Sequence, residues 1–150
     1  MGFRQIEDIR AWRLAHEFKV GVYRLMESGP FARDVRLRDQ LREAAASAVS
    51  QISEGFGRFD PMDFARFVKM ARASLVECKN HLVDAFDRGY ISEDVQREHG
   101  MRADSALKEM AGLLDYLQSA EAKRNADRVR QGRIQRRELR TSKEPSSSKD

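Results

Sequence analysis

Apolar residues recur at helical spacing through most of the chain, and nowhere do they alternate as a strand requires. A first helix is predicted from about Asp8 to Glu27. Ile9, Trp12, Ala15, Val22 and Met26 form its stripe, and Leu14, Phe18 and Leu25 widen it. The apolar arc covers roughly half the cylinder, wider than the ~100° a surface helix needs, which leaves area for another subunit. Ser28-Gly29-Pro30 ends this helix, and residues 31–36, with Arg33 and Arg36, read as a loop. A second helix from about Leu37 to Glu54 puts Leu37, Leu41, Ala44, Ala45, Ala48, Val49 and Ile52 on one face, its alanines permitting close approach.

The stretch Glu54-Gly55-Phe56-Gly57-Arg58-Phe59-Asp60-Pro61 organises what surrounds it. Gly55 suits the positive φ that ends a helix, and Gly57 offers a second permissive joint. Asp60 is suited to cap the next helix, Pro61 to its first turn, and Asp63 to its positive end. Phe56 and Phe59 are expected to tuck against the two helices they join. The third helix then runs from Pro61 to about Arg88, with Phe64, Phe67, Val68, Ala71, Leu75, Cys78, Leu82, Ala85 and Phe86 in one stripe and Gly89 as its stop. Ser92 caps a fourth helix whose apolar face holds Val95, Ala103, Ala106, Met110, Leu113, Leu114 and Leu117. Gly100 is its weak point.

From Lys123 the apolar period fails, and from Thr141 the composition is that of a disordered end. The expectation is an all-α chain: an antiparallel up-down-up-down four-helix bundle over residues 1–122, with a basic, largely disordered tail over 123–150. Charge sharpens the division. Of the net +4, residues 123–150 hold ten Lys/Arg against four Asp/Glu, a net of +6, so the body is net −2. A near-neutral domain carrying an electrostatic arm follows.

Reactive chemistry has little footing. The single Cys78 excludes an internal disulfide and a Cys-based zinc site, and its place on the apolar stripe makes it a small core residue. A di-iron bundle needs Glu-x-x-His pairs, whereas this chain has Glu77 and His81 four apart and Glu98 beside His99. Glu77 and His81 are also expected to point away from the core. His16 borders the first helix's stripe and reads as a partly buried, hydrogen-bonded residue. No Gly-x-Ser-x-Gly turn and no Gly-x-x-x-x-Gly-Lys loop occur. No enzyme, metal or cofactor is expected. With no bilayer-length apolar run and no signal-peptide pattern, the expected location is the cytoplasm.

Several stretches together resemble one bacterial family. They are Phe3…Ile6-Glu7…Trp12…Ala15-His16, then Leu41-Arg42 with Ala44-Ala45, then Ile52-Ser53-Glu54-Gly55-Phe56-Gly57-Arg58. Phe64…Phe67, Ala73-Ser74-Leu75-Val76-Glu77 and Gly89-Tyr90-Ile91 complete the set. The chain resembles the 23S rRNA intervening-sequence proteins over roughly residues 3–120. The resemblance implies a small helical bundle that assembles into a ring-like homopentamer, with no known enzymatic activity. It also implies a likeness to the accessory proteins of diversity-generating retroelements, which bind nucleic acid beside a reverse transcriptase. Two departures stand out. Ala48-Val49-Ser50-Gln51 occupies the place of the usual Ile-Pro-Ser-Asn, so the helix kink of relatives is not expected. The arginine-rich tail exceeds the family's usual length and inherits no role from it.

Two sets of basic residues remain as candidate phosphate contacts for RNA or DNA. Arg36, Arg42, Arg58, Arg66 and Lys69 lie on the second and third helices and their corner. Read structurally, they form a solvated face paired with Asp63, Glu77 and Asp84; read functionally, they form a phosphate-binding surface. Arg130, Arg133, Arg137 and Arg140 are spaced i, i+3, i+7, i+10, so an induced helix would align four guanidiniums, although a purely solubilising tail has the same composition. The tail has no aromatic residue, so base stacking is not open to it and its binding should be largely independent of sequence.

Overall fold

Helix start and stop signals dictate the architecture, and the computed structural model, which describes residues 2–141, follows most of them. A short 3-10 turn at Ile6–Asp8 precedes α1 (Arg10–Leu25). Then come α2 (Gly29–Arg33), α3 (Val35–Gly57), α4 (Pro61–Asp87), α5 (Glu93–Leu117) and α6 (Ala120–Thr141). The described residues contain no strand. Asp60 Oδ1 accepts from the Asp63 amide at 2.8 Å and Ser92 Oγ from Val95 at 3.2 Å, so both expected caps form. Gly89, at φ 74°, ends the α4 region as anticipated.

The helices α1, α3, α4 and α5 pack in a cycle: α1 on α3, α3 on α4, α4 on α5, and α5 back on α1. Cross-links give the directions. Trp12 Nε1, early in α1, donates to Ser53 Oγ, late in α3, at 3.0 Å. Arg10 pairs with Glu109 at 3.2 Å, while Gly21, farther along α1, faces His99, earlier in α5. Neighbours are therefore antiparallel, and the bundle is up-down-up-down. Its interior is built from Phe18, Val22, Leu41, Ile52, Val68, Leu75, Leu82 and Met110, with the fully buried small residues Ala15, Ala48, Ala71, Ala103 and Ala106 among them.

Five expectations need correction. Residues 31–33 belong to the short helix α2, not to a loop, because Pro30 suits a first turn and Phe31 is buried as an anchor against Tyr90, 6.1 Å between ring centroids. Gly55 does not end α3; it is a buried helical residue, and the positive φ falls on Phe59 at 60°. Phe59 is not tucked in but 65 % exposed, since its left-handed backbone turns the ring outward. Phe86 likewise stays exposed, on the outer edge of the α4 stripe. His81, expected to face outward, is buried, and its Nε2 lies 3.3 Å from Glu77 Oε1.

The tail differs most. Residues 120–141 form a helix although their apolar period fails. They lack proline, hold one glycine, and are rich in Ala, Arg, Gln and Glu, which favour a helix by intrinsic propensity without an apolar stripe. Ser119 Oγ caps the start by accepting from the Ala122 amide at 3.2 Å, and Ala122 is buried against the bundle. The disordered end expected beyond Thr141 lies outside the described residues.

Candidate nucleic-acid interface

Helix α6 meets the bundle where α3 ends and α4 begins. Only Arg58, Phe59 and Asp60 separate these two helices. Beneath this link Phe56 and Phe64 pack edge to face at 6.3 Å, and Phe3 meets Tyr116 in the same manner at 5.6 Å. With Pro61, Ala126 and Val129 they line an apolar cavity of about 160 Å³ under α6. Phe59 lines it too, with most of its ring in solvent. The Arg133 guanidinium of α6 lies 4.4 Å from the Phe59 ring centroid, a cation–π contact.

The nine candidate arginines and lysines do not form one surface. Arg36 and Arg42 begin α3, and Arg58 follows its last residue. At 1.5 Å per residue Arg36 is roughly 33 Å and Arg42 roughly 24 Å from Arg58 along the axis. Those two therefore belong to the middle and far end of the bundle, Arg42 beside Asp39 at 3.8 Å. At the near end Arg58 and Arg66 both lie over the Phe67 ring, each 5.1 Å from its centroid. Stacking on a buried ring holds both guanidiniums in place. Lys69 follows one turn after Arg66 on the exposed side of α4.

Of the acids assigned to a solvated face, Asp63 pairs with Arg66 at 3.1 Å, whereas Asp84 pairs with Arg88 and Glu77 with His81. Glu54 holds Arg58 at 2.7 Å. The Arg58 and Arg66 pairs are solvent-exposed, so each is worth about 0.2–1 kcal/mol and yields readily to a phosphate. Arg36 and Lys69 make no ion pair among the described residues.

Because α6 is helical, Arg130, Arg133, Arg137 and Arg140 fall within an arc of roughly 80° at 100° per residue. Arg130 and Arg133 adjoin the bundle beside Phe59, and the exposed residues after Ile134 carry the line outward. The structure thus unites Arg58, Arg66, Arg130 and Arg133 at one corner, extends that corner through Arg137 and Arg140, and leaves Arg36 and Arg42 elsewhere. Phe59, not among the candidate contacts, also lies at this corner. Its signal in the sequence is an aromatic side chain in a three-residue link between two helices.

At the opposite end Asp34 fastens the chain. Its Oδ1 accepts from the Leu37 amide at 3.1 Å, and its Oδ2 from Tyr90 Oη at 3.0 Å and Arg88 Nη1 at 3.3 Å. The α3 cap, the Tyr90 hydroxyl and the Arg88 charge hold its carboxyl below the usual range. The Gly89-Tyr90-Ile91 turn is thereby tied to the start of α3. The model of the 23S rRNA-intervening sequence proteins matches residues 7–112. The chain belongs to that family.

No curated protein matches it. The family match takes in the Asp34–Tyr90 clasp, the Gly55 corner and Phe59, but stops before α6, so the arginine line lies outside the shared segment. Elsewhere in this family member, burial pushes the Cys78 thiol up to about 12, with the Glu77 charge adding to it, as befits a core residue. His99 is buried with Nδ1 unpartnered, and burial, then Arg102, lowers its pKa. His16 stacks on Trp12 at 5.0 Å, but its Nδ1 lacks the hydrogen bond expected of it. Among the described residues no three His, Cys, Asp or Glu side chains are grouped to hold a metal, and no helix is long and apolar enough to cross a membrane.

Proposed function

We propose that this protein is a non-enzymatic, homo-oligomeric helical bundle of the cytoplasm that binds RNA or DNA through backbone phosphates. The observation that carries the reading is the line of Arg130, Arg133, Arg137 and Arg140 on α6, beginning beside Arg58 and Arg66 at the α3–α4 corner. Guanidiniums on one face of a helix follow a phosphate backbone, and each phosphate neutralised releases counterions. The family's link to rRNA intervening sequences favours RNA. The family resemblance favours a ring of five subunits, and its likeness to retroelement accessory proteins favours a reverse transcriptase as a protein partner. A ring would repeat the basic corner around its rim and add avidity.

A gel-shift salt series with single- and double-stranded RNA and DNA tests the reading, beside light scattering for subunit number. Retardation that weakens steeply as salt rises is expected; absence of retardation at ~50 mM salt overturns it.

One observation favours a second reading, a protein-interaction scaffold. Val76, Val83 and Leu107 line a groove of about 320 Å³ between α4 and α5, with Val76 and Val83 exposed. On that reading, deletion of residues 123–150 leaves partner binding intact.

A further inference from the structure

The middle residue of the α3–α4 link has a left-handed backbone, where glycine or asparagine costs least, yet it is a phenylalanine. The corner does not need this ring. Asp60 already caps α4, Phe56 and Phe64 pack edge to face beneath the link, and Phe59, at the rim of the apolar cavity, leaves most of its ring in solvent. A non-glycine residue held in the left-handed region with its aromatic face exposed is a reason to look for a binding role.

Its surroundings indicate what binds. Phe59 forms one wall of a cleft of about 570 Å³ whose other walls are Ala126, Val129, Arg130, Arg133 and Ile134 of α6. That volume falls within the ~300–1,000 Å³ usual for small-molecule clefts. A flat group can lie on the Phe59 face, with Arg133 turning from the ring onto the group's other face or onto a phosphate. Two carboxylates, Asp60 and Asp127, also line the cleft. Against Arg130 and Arg133 they leave the cleft without net charge, which suits an uncharged base inside it with the backbone at its mouth.

We propose that Phe59 is a stacking platform for one unpaired base of a single-stranded nucleic acid, with Arg58, Arg130 and Arg133 on the flanking phosphates. This rests on the phosphate-binding reading and adds to it strand state and a base contact. It also supplies the aromatic face that the arginine-rich segment lacks. A duplex keeps its bases stacked and gains nothing from Phe59, whereas a single strand gains base–aromatic stacking, which is tolerant of sequence.

The test uses the full chain and three fluorescent probes of about 12 nucleotides, within single-strand site sizes. They are oligothymidylate, an abasic strand with the same phosphates, and a duplex. The wild type should bind oligothymidylate about 5- to 150-fold more tightly than the abasic strand. Phe59→Gly should bring the oligothymidylate affinity down to the abasic level without lowering Tm, and Phe59→Trp should keep the preference. Equal wild-type affinity for the two strands overturns the proposal while leaving the phosphate reading standing. So does a Phe59→Gly variant that weakens both strands equally, since the ring then serves only to hold α6. Failure of every probe to bind at ~50 mM salt overturns both readings.

Discussion

Gly55 and Phe64 touch across the α3–α4 seam so closely that a methyl group on Gly55 would fall 2.5 Å from Phe64 Cδ2 and 2.8 Å from Phe67 Cβ. Glycine is required here for close approach, not for a turn. Gly55→Ala should destabilise the protein by about 1–3 kcal/mol, the usual cost of overpacking, read as a lower midpoint in urea with an unchanged slope. Gly57, with open space around its Cα, should accept alanine at far lower cost.

Phe59 presents the opposite case, a side chain where glycine would suit the backbone better. Phe59→Gly relieves the left-handed strain, at ~1–2 kcal/mol, but loses the exposed Arg133 contact and frees the unfolded chain. Stability should lie between unchanged and about 1 kcal/mol higher. A fall of more than about 1 kcal/mol by urea unfolding would give the ring a structural role.

Asp34 joins two distant parts of the chain through one carboxylate. Asp34→Ala should lower Tm more than Asp34→Asn, because asparagine keeps a cap acceptor for Leu37 while losing the charge opposite Arg88. Since the folded carboxyl titrates below its unfolded value of about 3.9, Asp34's contribution is complete above that pH. It disappears as pH falls through the lowered folded value. The Tm gap between wild type and Asp34→Asn should therefore narrow in acid.

His99 works in the other sense. Burial between α1 and α5, with Arg102 nearby and only Glu98 opposing it, favours the neutral ring. The unfolded chain then takes up a proton near pH 6.5 before the folded one does, so stability present above that pH is lost as pH falls below it. His99→Gln should flatten Tm between pH 7 and 5 relative to wild type. An unchanged slope would contradict this role for His99.

Elements with two independent signals were legible in the chain. Asp60-Pro61 with an apolar stripe, and Ser92 with another, gave helix starts that the structure repeats. Single signals misled. Glycine at 55 suggested a positive φ, but helix proximity makes the same demand for a missing side chain, and only the three-dimensional seam separates the two. The α6 helix was hidden because apolar period detects burial, whereas propensity and a serine cap sustain this one. The alignment of Arg130, Arg133, Arg137 and Arg140 was readable from spacing. Their arrival beside Phe59 was not, because it depends on where α6 docks.

The most direct test of phosphate binding is the slope of log affinity against log salt for a single strand. Engagement of Arg58, Arg66 and the four α6 arginines predicts a slope of roughly −4, at about −0.7 per phosphate. Replacing Arg130, Arg133, Arg137 and Arg140 with glutamine in the full chain should reduce its magnitude to roughly 1. A wild-type slope near zero, or one unaltered by the four replacements, would contradict the assignment of α6 as the phosphate-contacting arm.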